Sequence, residues 1–83
     1  DLNEWLGKIM TENPPPLKKG RPVKLKFASQ VSVSPPKFNI FSNHPSEINN
    51  QYKKYLSNKL KKSFHLEDVP IKVRFKKTIN PYE

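Results

Sequence analysis

The sequence predicts a single α+β domain in the order α-β-β-α-β, with a three-stranded sheet covered on one face by two helices. Three observations lead there. Two segments carry apolar residues at the helical period of 3.6, and three others alternate apolar and polar residues at the strand period of two. Prolines and a glycine stand between them, where regular structure is broken. Packing two helices on one sheet face gives a short chain the layered burial it needs.

The first helix is expected over residues 1–13. Leu2, Trp5, Leu6, Ile9 and Met10 fall at i, i+3, i+4, i+7 and i+8, and Asp1 with Glu4 fits a capping box. Gly7 weakens this helix slightly, and Pro14-Pro15-Pro16 ends it. A proline-rich, basic connector covers 14–23, with Gly20 in a turn. The first strand, 24–33, is expected to place Leu25, Phe27, Ser29, Val31 and Val33 on one face and Lys24, Lys26, Ala28, Gln30 and Ser32 on the other. Ser34-Pro35-Pro36 breaks it, and a second strand, 37–42, turns Phe38 and Ile40 inward and Asn39 and Phe41 outward. The short connection makes these strands antiparallel.

Asn43-His44-Pro45-Ser46 reads as a helix entry, and a helix is expected over 45–64. Its apolar stripe is Ile48, Tyr52, Tyr55, Leu56, Leu60 and Phe64. Lys53, Lys54, Lys61 and Lys62 lie largely outside it, and Lys59 packs its stem near the stripe while its ammonium stays in water. After a loop, Ile71, Val73 and Phe75 alternate with Lys72, Arg74 and Lys76 in a third strand, 71–77, followed by a tail, 78–83.

Charge is the strongest compositional signal. Sixteen Lys and Arg face seven Asp and Glu, a formal net charge of +9. Between Asn13 and His65 the only acid is Glu47, against eleven bases. Such a field favours polyanions. Without cysteine, the domain has neither disulfides nor thiolate-ligated metal, so its core must come from aliphatic and aromatic residues. No run approaches the roughly 20 apolar residues of a membrane-spanning helix. The start of the chain lacks both a signal-peptide pattern and an initiator Met, which suits a domain of something longer in the cytoplasm.

Catalysis finds little support. The two glycines, Gly7 and Gly20, stand outside any G-x-x-x-x-G-K-[ST] pattern, so a P-loop is excluded. His44 and His65 are far apart beside helix termini, and Glu67-Asp68 solvates a turn. No catalytic residue, metal site or cofactor is expected in this chain. The candidate RNA-binding residues are the strand cations Lys24, Lys26, Lys72, Arg74 and Lys76 with Gln30, joined by Lys18, Lys19 and Arg21 of the connector. Cations spaced along a rigid strand suit a phosphate backbone. Lysines on a solvated sheet face also discourage edge-to-edge aggregation, so the pattern alone does not decide. Trp5, Tyr52 and Tyr55 are assigned to the core by their helical spacing. Phe41 faces away from Phe38 and Ile40, and is a candidate for base stacking or for an interface.

In order along the chain stand Leu2-Asn3-Glu4-Trp5-Leu6, Pro14-Pro15-Pro16, Gly20-Arg21, Lys24-Leu25, Ser29-Gln30-Val31 and Pro35-Pro36-Lys37-Phe38. Phe41-Ser42-Asn43-His44-Pro45, Tyr52-Lys53-Lys54-Tyr55-Leu56, Pro70-Ile71 and Asn80-Pro81-Tyr82-Glu83 come next. Together they resemble the C-terminal domain of the EngA/Der family of ribosome-associated GTPases. The resemblance implies a KH-like fold following two GTPase domains, which would hold the GTP and Mg absent from this chain. It also implies rRNA and the large ribosomal subunit as partners of a monomer that does not engage membranes. The alternative it leaves open is a regulatory domain that docks on the GTPase domains of the same polypeptide. Two departures matter. Pro22 stands where the family commonly has a second arginine, and Thr78 and Ile79 occupy part of a tail that is often richer in arginine. There is no G-x-x-G loop of the kind that clamps nucleic acid in ordinary KH domains, as the family also lacks it, so RNA contact would use other surfaces.

Overall fold

Asp1 caps the first helix, α1 (Leu2–Glu12): its carboxylate accepts from the backbone N–H groups of Asn3 at 2.7 Å and Glu4 at 3.3 Å. These donors have no partner within the helix, so a carboxylate at the N-cap satisfies them. In the computed structural model, which describes residues 1–78, β1 (Leu25–Val33) and β2 (Pro36–Ser42) form an antiparallel pair. A 3-10 turn (Pro45–Glu47), α2 (Asn50–Ser63) and β3 (Lys72–Lys77) complete the chain. The sheet order is β1-β2-β3, with β3 parallel to β2. Parallel neighbours need a crossover between them, and α2 provides it. The architecture is thus α+β, with two helices and a mixed three-stranded sheet.

The core lies between the helices and one sheet face. Trp5, Leu6 and Ile9 of α1 and Tyr52, Leu56 and Leu60 of α2 meet Leu25, Ala28, Phe38 and Ile40 of the sheet, with Val23 and Ile48 from the loops. Trp5 and Phe64 close the helix pair edge to face, with ring centroids 6.1 Å apart. The open edge of β1 is shielded by α1: the Ala28 N–H donates to Asn3 Oδ1 at 2.8 Å, and Met10 Sδ lies 3.5 Å from the Leu25 nitrogen. An otherwise unpaired strand edge is thereby covered.

The structure corrects the sequence reading in two places. First, β1 does not alternate throughout. Its register against β2 shifts between Leu25 and Phe27 and again between Gln30 and Ser32. Each irregularity adds one residue and reverses the facing of the residues after it. Phe27 therefore points outward and Ala28 inward, the reverse of expectation, and Val31 and Val33 are exposed and not core. Second, the helix expected over 45–64 is divided. Ile48 is extended, with φ −80° and ψ 120°, and Asn49 then caps α2 by accepting from the Tyr52 N–H at 2.7 Å. Ile48 is buried from this break and not from a helical stripe. The remaining boundaries differ by a residue at an end, as in 1–13 against Leu2–Glu12. Of the expected tail, residues 79–83, with the Asn80-Pro81-Tyr82-Glu83 motif, lie outside the described residues. No helix among the described residues is long and apolar enough to cross a membrane.

Two polar ties hold the layers in register. Asn43, just past β2, accepts at Oδ1 from the Lys24 N–H at 2.8 Å and donates from Nδ2 to the Pro22 carbonyl at 3.2 Å. Its own N–H donates to the Lys24 carbonyl at 3.2 Å. The connector is thus fastened to the sheet where the chain enters β1. On the opposite layer, the Tyr52 hydroxyl donates to the Asn13 carbonyl at 2.7 Å, linking α2 to the end of α1. Burial, with Tyr55 alongside, pushes the Tyr52 phenol up to about 12 from its usual 10.

Each tie has a measurable consequence. Asn43→Ala removes three side-chain hydrogen bonds, with the Lys24 N–H, the Pro22 carbonyl and the Ser42 hydroxyl, and should cost about 1.5–4.5 kcal/mol at 0.5–1.5 kcal/mol each. At roughly 4–8 °C per kcal/mol for a domain this size, thermal unfolding should show it plainly, and Asn43→Asp, which keeps the acceptor, should lose less. For Tyr52, both folded and unfolded chains carry the neutral phenol below pH 10. Between pH 10 and about 12 the unfolded chain releases that proton while the folded chain keeps it, so this contribution to stability is lost as pH rises through that window. Urea unfolding in pH steps should give Tyr52→Phe a shallower fall than wild type from pH 10 to 12; parallel curves would contradict the assignment.

Candidate nucleic-acid interface

Residues directly opposite on paired strands share a face, so the register defines the outer surface of the sheet. Along β2, Pro36, Phe38, Ile40 and Ser42 are buried, leaving Lys37, Asn39 and Phe41 on the other side. Their partners on β3 are Lys72, Arg74 and Lys76 respectively. Three cations thus stand in a row on one strand, about 6.6 Å apart for a rise of about 3.3 Å per residue. Lys37 stands beside the first of them. None of the three strands contains an Asp or Glu, so nothing within the sheet neutralises this row. Val31 and Ser32 border a shallow depression with Lys37, Asn39 and these three cations.

On the other side of β2, Phe27 is the register partner of Phe41. The rings stack, with centroids 4.4 Å apart and planes 15° from parallel. Phe41 is half-buried, whereas Phe27 is 43% exposed. The expectation named only Phe41. Strict alternation had placed Phe27 in the core, and no local residue signals the bulge that reverses it.

The remaining candidates fall in other places. Lys24 and Lys26 border a second depression at the end of the sheet with Arg21, Asn43, His44 and Lys77. Neither His44 nor Lys77 was expected there from the sequence. Lys18 and Arg21 exchange backbone hydrogen bonds of 3.0 and 2.9 Å around Lys19 and Gly20, whose φ values are 52° and 76°. Two successive residues at positive φ make a tight turn for which glycine is suited, and they display Lys18 and Lys19 in solvent. Arg21 differs from its neighbours: its Nη2 lies 3.1 and 3.3 Å from the two oxygens of Glu47. The middle of the chain has this one acid, and it is engaged. Gln30 does not join the outer face as expected. It pairs with Phe38 on the core side, is nevertheless exposed, and donates from Nε2 to the Ser32 carbonyl at 3.1 Å. Register, and not alternation, decides its place.

On the helical layer, Lys53 lies over Phe75 of β3, with Nζ 5.4 Å from the ring centroid, so its stem and charge cover an otherwise open aromatic. Lys61 and Lys62 occupy the last turn of α2, where cations complement the helix dipole. These lysines have local structural explanations. Among the described residues the row on β3 has no ion pair or helix end to account for it, and its place on an edge strand is the one structural role it shares with other sheet lysines.

Comparison with known proteins agrees with the architecture. The family described as "KH-domain-like of EngA bacterial GTPase enzymes, C-terminal" matches residues 1–76. Similar curated proteins include GTPase Der of Rickettsia canadensis (strain McKiel), 42% identical over 82 residues that cover 98% of this chain and 18% of that protein. GTPase Der of Agrobacterium fabrum (strain C58 / ATCC 33970) is 43% identical over 82 residues, covering 99% of this chain and 17% of its own length. GTPase Der of Parvibaculum lavamentivorans is 42% identical over 81 residues, or 98% and 17%. The chain therefore spans under a fifth of the length of these relatives, and its match is to their KH-like domain and not to a GTPase domain. This chain belongs to the family of KH-like domains found at the C-terminus of the EngA (Der) bacterial GTPases.

Proposed function

We propose that this chain is the RNA- and ribosome-contacting module of a two-GTPase-domain ribosome biogenesis factor that acts in large-subunit assembly. The observation that supports this reading best is the row Lys72, Arg74 and Lys76, with Lys37 beside it, on a rigid sheet face without an acid. A fixed row of cations matches a phosphate backbone, and releasing counterions from RNA drives its binding. Lys24 and Lys26 with Lys18 and Lys19 extend the positive surface at the end of the sheet, while Arg21 contributes less because Glu47 already holds it. Contact is mainly electrostatic and tolerant of sequence. In this reading rRNA of the large subunit is the partner, the module is a monomer in the cytoplasm, and GTP and Mg serve the other domains of the parent polypeptide.

A second reading is an intramolecular regulatory domain that docks on those GTPase domains. The exposed Val31, which borders the depression holding the cation row, favours it, because protein interfaces are anchored by apolar side chains.

Binding to large-subunit rRNA across a salt series separates the two. Substituting Lys72 and Arg74 together by Ala should weaken binding and lower the magnitude of the salt slope by about 1.4–1.8, at roughly 0.7–0.9 for each phosphate released. Unchanged affinity and slope would exclude this face. Equal, weak binding of wild type to rRNA, duplex DNA and anionic vesicles would favour docking on the GTPase domains.

A further inference from the structure

We infer that the stacked pair Phe27–Phe41 is a base-stacking platform, and that the outer sheet face takes unpaired nucleotides of single-stranded RNA. This rests on the RNA-contact reading above and adds the class of RNA and the residues that select it. The pair is unusual for its position. An aromatic ring with 43% of its surface exposed stands on the uncovered face of the sheet, away from the core. Phe41 covers one side of Phe27 at 4.4 Å and holds its ring in a fixed plane, so a base arriving from solvent meets an ordered surface.

The surroundings choose the partner. Lys76 is the register partner of Phe41, Arg74 lies one step along the same face, and Lys26 directly precedes Phe27. A protein interface is depleted of charge around its aromatic anchors, whereas these rings have cations on more than one side and no acid in any strand. Rings interleaved with cations fit single-stranded nucleic acid, whose bases offer π-faces and whose phosphates run alongside. A duplex keeps its bases stacked on one another and leaves phosphates and 2′-hydroxyls for the lysines, with no base face for the rings. The platform therefore adds a preference for unpaired RNA that the cations alone cannot provide. It uses neither a G-x-x-G loop nor a base-reading pocket, so every base is accepted.

The test compares binding of the 83-residue chain to a fluorescently labelled single-stranded RNA 12-mer and to duplex RNA of the same length, across a salt series. Phe27→Ala should weaken single-strand binding by about 5- to 150-fold, the range for losing one base-stacking ring, with little change in salt slope or duplex binding. Phe27→Trp should restore it. Because Phe27 is largely outside the core, thermal melting should confirm that both variants fold, and a folded Phe27→Ala that binds normally overturns the platform. If single strand and duplex bind alike and only Lys72/Arg74 substitution matters, the platform is wrong while RNA contact stands. If wild type binds neither RNA, both readings fail, and loss of binding to separately purified GTPase domains in Phe27→Ala would assign the rings to protein docking.

Discussion

Strand β1 must bury Leu25 and Ala28, two positions three apart, while its partner β2 buries every second residue. A regular strand cannot do both, because its side chains alternate with a strict period of two. The irregularity at Lys26 resolves the conflict by inserting one residue, so that Leu25 faces Ser42 and Ala28 faces Ile40 on the same side. Much of the molecule depends on this. Ala28 is small enough to sit under α1, whose Asn3 takes the Ala28 N–H, and Phe27 is driven outward onto Phe41. The same local event completes the core on one face and creates an aromatic surface on the other.

Holding that register requires more than apolar contact, since a domain this small buries a modest core. Ser42 is fully buried at the end of β2, and its Oγ accepts from the His44 N–H. Asn43 next to it fastens the connector through Lys24 and Pro22. A slip of one residue in either strand would break these directional bonds, whereas hydrophobic packing alone tolerates small shifts. Tyr52 performs the corresponding task between the helices, joining α2 to the Asn13 carbonyl at the C-cap of α1. The polar ties lie at the edges of the core, where each closes one path by which the layers could slide.

The electrostatic arrangement is also layered. The helical face carries many lysines, but Lys53 packs on Phe75 and Lys61 and Lys62 sit at a helix C-terminus. The sheet face carries fewer cations, yet they are aligned, rigid and without acidic neighbours in the strands. Total charge is thus a poor guide to where a polyanion would settle. Spacing and rigidity distinguish the two faces, and these come from the strands.

The sequence by itself determined the order of elements, the capping of α1 by Asp1, the turn at Gly20 and the inward residues of α1, β2 and β3. Each of these depends on near neighbours: a helical stripe, an alternation, a cap or a breaker is written within a few residues. The cations Lys72, Arg74 and Lys76 were legible as one face for the same reason. Tertiary structure decided the rest. The phase of β1 depends on what α1 and β2 demand of it, so Phe27 and Gln30 could not be placed from their own segment. The break at Ile48 arises because that side chain must reach the core before α2 begins, leaving Asn49 to cap the helix. Engagement of Arg21 by Glu47, 26 residues away, and the grouping of His44 and Lys77 with Lys24 and Lys26 arise when distant segments meet. Periodicity is a property of a segment, whereas register and pairing are properties of the assembled sheet, and only the latter bring two phenylalanine rings face to face.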